Sequence, residues 1–157
     1  MTIAQTVTRQ ELEGRIGEQL GVSAWFLVDQ ERVNAFADVT LDHQFVHVDV
    51  ERARATPFKG TIAHGFLTLS LLVHLCLPFI PTLAKRKLLV NYGFDKVRFA
   101  APVSVGKRIR AVGKLGEVSE RKPGNVLMRI DVTVEIEGES KPALVAEWLS
   151  LHVVGEP

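Results

Sequence analysis

Four of the five histidines, His43, His47, His64 and His74, fall within 32 residues, and Asp42 and Asp49 share that window. Asp42 and His47 lie five apart in residues 40–49, TLDHQFVHVD, a stretch that fits neither a helical nor a strand period. A carboxylate and an imidazole held beside one water can take its proton and return a proton to the product, and imidazole titrates near neutral pH. Assistance of this kind is worth about 10²- to 10⁴-fold in rate. The plainer reading of the same residues is a turn capped by Asp42 and a partly buried, hydrogen-bonded His47. A second constellation, Gly60-Thr61-Ile62-Ala63-His64-Gly65-Phe66, precedes the most apolar stretch of the chain. The first amides of a helix have no internal partners, so they can bind a carbonyl oxygen that gains negative charge, and Gly65 lets a substrate approach that backbone. Loss of one such donor costs about 2.7–4 kcal/mol of transition-state stabilisation. The alternative is that Gly60 and Gly65 serve only turns and close packing.

Other chemistries fit less well. His43 and His47 are four apart, but the sequence has no H-E-x-x-H and no cysteine pair, and residues 40–49 lack the helical pattern that would align two ligands, so no metal site is expected. Cys76 sits inside the apolar stretch, where a thiolate is poorly stabilised. Ser70 has no G-x-S-x-G context.

The elements that must position these groups can be read from pattern. Thr8 to Glu11 is T-x-x-E, a capping box, and Leu12, Ile16 and Leu20 then share one face, which predicts an N-terminal helix within residues 1–22. A short strand-like run over 23–28 follows, then a helix capped by Asp29 with Val33, Phe36 and Ala37 on one side, and another capped by Asp49 and ended by Thr56-Pro57. Residues 63–78 are apolar almost all round, which predicts a long central helix enclosed by protein. Residues 88–154 read mainly as strands. In residues 125–137 the even positions from Val126 to Ile136 are all apolar, while the odd ones from Arg129 on are polar, and Lys122-Pro123-Gly124-Asn125 is a turn signal. Helices first and antiparallel strands after make an α+β domain in which a curved sheet wraps one buried helix.

The chain of 157 residues, 46% hydrophobic and 24% charged, suits one globular domain, residues 1–157, burying about 69% of its open-chain surface. The lone cysteine, Cys76, and an N-terminus without a signal-peptide pattern suggest a cytoplasmic protein, and the apolar run 66–80 is shorter than the ~20 residues that span a bilayer. A net charge of +1 gives no reason to expect nucleic acid. Yet residues 85–122 hold eleven basic side chains against three acidic ones, a local charge of +8 against −7 for the remainder. Such a rim can hold a phosphorylated ligand, with Lys85, Arg86, Lys87 and Arg110 as candidates, or can be the solvated faces of strands whose partners lie elsewhere.

The order of a D-x-x-x-x-H loop (Asp42 to His47), F-x-G-x-I-A-H-G (Phe58 to Gly65) and R-F-x-x-P-V (Arg98 to Val103) resembles the MaoC-like dehydratases, the (R)-specific enoyl-CoA hydratases, over roughly residues 25–154. The resemblance implies a hot-dog fold and a homodimer. By position it gives Asp42 and His47 the activation of water and the Gly65 amide the thioester carbonyl, without metal or redox cofactor, on a substrate carried by CoA or an acyl-carrier protein. Gln44 and Phe45 stand where the family's usual loop has asparagine and proline; this version looks like the branch of nodulation protein N, and Gln44, Phe45 and His64 become candidates for site support or pocket wall. The implied reaction is reversible hydration of trans-2-enoyl-CoA to (R)-3-hydroxyacyl-CoA. Hot-dog thioester hydrolysis and a non-catalytic acyl-thioester-binding subunit are the alternatives.

Overall fold

A six-stranded antiparallel sheet forms the frame of the computed structural model, which describes residues 5–155. In chain order the elements are β1 (Thr6–Val7), α1 (Arg9–Glu13), β2 (Gln19–Val22), β3 (Phe26–Leu27), α2 (Gln30–Thr40), α3 (Phe45–Val48), α4 (Val50–Arg54), α5 (Gly65–Ser70), α6 (Leu72–Cys76), β4 (Thr82–Leu83), β5 (Arg86–Phe99), β6 (Arg108–Lys122), β7 (Asn125–Ile136) and β8 (Leu144–Val154). The sheet order is β2-β6-β7-β8-β5, with β3 also on β6, and β1 pairs β4 in a small parallel ribbon. The long strands follow the alternation in the sequence: Val126, Met128, Ile130, Val132, Val134 and Ile136 are buried, and their partners in the core include Leu67, Leu72, Leu75 and Cys76 of α5 and α6. Register shifts in β5 interrupt its pairing with β8, the kind of irregularity that bends a strand and curves a sheet. Gly124 has φ +76° in the β6–β7 turn, as its turn signal requires. This is the α+β, hot-dog arrangement of helix against curved sheet.

Three expectations need correction. The N-terminal helix is one short element. Thr8 and Glu11 form both halves of the capping box, but α1 ends at Glu13; residues 1–4 lie outside the described part. Gly17 N–H then bonds the Leu115 carbonyl, and residues 19–22 pair with the edge of β6, so Leu20 belongs to a strand. Backbone pairing across the sheet outweighs a helical period that only Leu12 satisfies by burial, Ile16 being exposed.

The central helix, expected over 63–78, starts at Gly65 and is divided at Leu71 into α5 and α6. Its predicted start is taken up by the connection between β5 and β6: Ile62, just before it, bridges Ser104, and Ala63 N–H bonds the Val103 carbonyl at 2.8 Å. The two halves remain linked, with Leu71 N–H on the Leu67 carbonyl and Leu75 N–H on that of Leu71. Nor is the helix enclosed on all sides. Phe66 is 67% exposed, and Val73 and Leu77 also face outward in the single chain.

The basic segment is partly neutralised across the β6–β7 ladder, where Arg108 pairs with Glu137 and Arg110 with Glu135; Lys107 reaches Glu139 just beyond it. Arg110 also lies over the Trp25 ring. Lys85, Arg86 and Lys87 sit at the start of β5, and thirteen residues of extended chain, up to ~40 Å, separate Arg86 from Phe99 at the other end.

Candidate active site

The site grows out of the end of α2. Asp29 caps that helix, its side chain accepting the Arg32 N–H at 2.8 Å. The helix stops at Leu41, whose φ of +60° turns the chain and brings Asp42 after it. Asp42 is half exposed, and its carboxylate accepts the Gln44 N–H at 3.3 Å, which leads into the single turn of α3. That turn carries His47 into the interior, where it is 8% exposed.

The His47 ring is fixed by a backbone group. Its Nδ1 lies 2.7 Å from the Ile62 carbonyl. A carbonyl only accepts, so Nδ1 carries the proton and Nε2 keeps a lone pair able to act as a base. His64, 2% exposed, is held in the same way: its Nε2 donates to the Asp42 backbone carbonyl at 2.9 Å and lies 4.0 Å from the Asp42 carboxylate. The two imidazoles stack with centroids 3.8 Å apart and planes 25° from parallel, and Phe36 packs against His64. The His64 Nδ1 is buried without a partner.

His47 opens onto a cavity of about 300 Å³ whose wall includes Gly65, Thr68, Phe99, Ala101 and Val103. The first backbone bonds of α5 run from Leu67 and Thr68 to the His64 carbonyl, so the Gly65 and Phe66 amides precede the ladder. Glycine at 65 leaves room for Phe99: a Cβ there would stand 3.0–3.2 Å from three atoms of that ring, a tight contact that the half-exposed ring would relieve by moving a few tenths of an ångström. A second cavity, about 320 Å³, lies by Trp25, Arg110 and Glu135, where Arg110 and Glu135 already pair with each other.

Asp42, His47 and His64 place one potential ligand atom each within 4.8 Å of one another. The two imidazoles stack and do not converge on a common point. An imidazole lone pair lies in its ring plane, with a bound metal ion about 2.0–2.1 Å from the nitrogen. Planes 3.8 Å apart at the centroids and inclined by 25° meet well beyond that reach.

Of the residues singled out by sequence, the fold thus gathers Asp42, His47, His64 and Gly65. It leaves Gln44 exposed and Phe45 under the Arg52 guanidinium. His43 is outside the cluster, on Asp38 at 2.8 Å. Burial pushes the Cys76 thiol up to about 12, the reverse of what a nucleophile needs. Thr68, Phe99 and Gln30 were not anticipated. Thr68 had a signal, being a hydroxyl in an apolar helix, and Phe99 had one as part of R-F-x-x-P-V; Gln30 had none, because its part comes from contacts across the fold.

A hot-dog domain with a cavity-lining histidine and an aspartate beside it defines a class, and comparison with known proteins places the chain within it. Residues 11–137 match the MaoC like domain. The chain is 50% identical over 143 residues to 3-hydroxyacyl-thioester dehydratase Z of Mycobacterium tuberculosis, covering 91% of this chain and 94% of that one. It is 46% identical over 142 residues to nodulation protein N of Rhizobium leguminosarum bv. viciae, with 90% and 88% covered. The solved (R)-hydratase from A. caviae involved in PHA biosynthesis superposes with a TM-score of 0.68 and 25% identity, covering 86% of this chain and 94% of that one. The protein belongs to the MaoC-like dehydratase family, a family of hydro-lyases.

Proposed function

We propose that the protein is an (R)-specific enoyl-CoA hydratase, reversibly adding water to a trans-2-enoyl thioester to give the (R)-3-hydroxyacyl thioester. The observation that carries the reading is His47, buried near Asp42 and lining the cavity, with Nδ1 committed to the Ile62 carbonyl so that Nε2 is the ring nitrogen left as a base. His47 Nε2 takes a proton from water held with the Asp42 carboxylate, and the water oxygen bonds to the β-carbon. The α,β double bond shifts its electrons toward the thioester oxygen, which the Gly65 N–H stabilises as negative charge develops. The acid-base pair returns the proton to the α-carbon, so the sum is one water added, with no metal or redox cofactor taking part. The apolar wall of Ala101, Val103 and Phe99 suits an acyl chain. The carrier is CoA or an acyl-carrier protein, the location cytoplasmic, and the working unit a homodimer formed over the outward residues of β5 and α5, among them Tyr92, Phe99 and Phe66.

The test is hydration of crotonyl-CoA and longer enoyl-CoAs, followed by absorbance, with the product's handedness determined. Turnover to the (R)-product that is lost in Asp42→Asn and His47→Gln is the expected result. Release of free thiol from acyl-CoA without hydration would instead mark a thioesterase, and binding without turnover on any chain length a non-catalytic subunit.

A further inference from the structure

We propose that Gln30 is a positioning residue, whose side-chain amide clamps His47 to the strand-like segment that orients its ring. Gln30 is the first residue of α2, seventeen positions before His47 and thirty-one before Thr61. Its Nε2 lies 2.7 Å from the His47 backbone carbonyl, and its Oε1 accepts the Thr61 hydroxyl at 2.6 Å. The carbonyl of His47 only accepts, which fixes the amide with nitrogen toward His47 and oxygen toward Thr61. The second Nε2 proton goes to Asn34 Oδ1 at 2.8 Å, so the amide is held in place from its own helix.

These bonds close a ring. From the Gln30 amide the path runs to the His47 carbonyl, through His47 to its Nδ1–H, to the Ile62 carbonyl, back one residue to Thr61, and through the Thr61 hydroxyl to Gln30. The Ile62 side of the ring is anchored on residues 103–105, where Val105 N–H bonds the Thr61 carbonyl and Ala63 N–H bonds the Val103 carbonyl. The His47 side is a four-residue helix with no side-chain cap, too short to hold its own orientation. Ile62 N–H holds that turn at the Val46 carbonyl, and Gln30 adds a constraint on His47 itself from the eleven-residue, capped α2. Without it the His47 carbonyl is free to rotate away, and the Nδ1–H to Ile62 bond that exposes Nε2 as the base loosens with it. Displacement of a reacting group by about 1 Å can cost roughly 10²-fold in rate.

The experiment uses the full ¹⁵N-labelled chain with substitutions at Gln30 and Thr61. Long-range ¹H–¹⁵N spectra report the His47 tautomer and the exchange rate of its Nδ1 proton, the peak being assigned by its loss in His47→Gln. In Gln30→Leu, Nδ1–H exchange is expected to accelerate about tenfold or more, and kcat on crotonyl-CoA to fall about 10- to 100-fold with KM within about twofold. Gln30→Glu keeps the acceptor for Thr61 but sets an oxygen against the His47 carbonyl, and shows at least the same loss. Thr61→Ser retains wild-type behaviour, and Thr61→Val shows the same changes in smaller degree, providing the test if Gln30 variants do not fold. Unchanged exchange in a folded Gln30 variant overturns the proposal whatever kcat does, as does faster exchange with unchanged kcat. Only the kinetic arm rests on the hydratase reading. If the wild type turns over no enoyl thioester, that reading fails while the exchange rate still decides the clamp.

Discussion

The β6–β7–β8 ladder and the segment from Leu41 to Gly65 use the same backbone groups in opposite ways. In the ladder, carbonyls and amides satisfy one another strand to strand, and side chains have only to alternate between core and surface. In the segment the chain is mostly too irregular for that, and three carbonyls, those of Asp42, His47 and Ile62, accept from the side chains of His64, Gln30 and His47 instead. Each such bond orients a ring or an amide. Irregular backbone thus leaves these carbonyls to side chains, and one of them fixes a tautomer.

If the two regions do separate tasks, they can be broken separately. The largest effect is expected in the segment: Asp42→Asn or His47→Gln should lower kcat/KM by about 10²- to 10⁴-fold while the urea midpoint stays near that of the wild type. Next is a buried group of the sheet. His152 of β8 is fully buried and accepts or donates at Ser150 Oγ, 3.1 Å away; burial, aided by the Arg86 charge, pushes its pKa down from 6.5 to about 4. Between those values the unfolded chain binds the proton and the folded one does not, so stability falls as pH drops from about 6.5 to about 4 and levels off below. The loss is on the order of 3 kcal/mol, read as the shift of the urea midpoint with pH, and His152→Leu should flatten that slope.

A smaller effect is expected where two facing glycines hold one ring. Gly21 and Gly113 are direct partners between β2 and β6, and a Cβ on either would come within 2.5 Å of Phe79. Gly113→Ala should cost about 1–3 kcal/mol by overpacking, partly recovered by Phe79→Leu, without changing turnover per folded molecule. The smallest is at the N-terminus, where Thr8→Ala removes the cap of α1 and should cost about 1 kcal/mol in thermal or urea unfolding.

Much of this structure was legible in advance where the deciding contacts are close in sequence. The caps at Thr8, Asp29 and Asp49, the turn at Gly124 and the alternation of β7 are interactions within a few residues, and each element stands where its pattern put it. The failures have the opposite character. α1 stops early because Gly17 and residues 19–22 have partners on β6, and the central helix starts late because Ile62 and Ala63 have partners at Ser104 and Val103. No local pattern announces a pairing partner that lies about forty or a hundred positions away.

The same division runs through the site. The amino-acid sequence by itself determined which chemical groups are present, a carboxylate, imidazoles and a glycine ahead of an apolar helix, and the order of motifs that identifies the family. Only the tertiary structure decided that His43 stands outside the cluster and His64 inside it, that Gln44 is exposed and Phe45 lies under Arg52, and that His47 keeps Nε2 free of the Ile62 carbonyl. The physical reason is that a tautomer is set by the acceptor opposite it. Here that acceptor is a carbonyl fifteen residues further along the chain, brought into place by the fold.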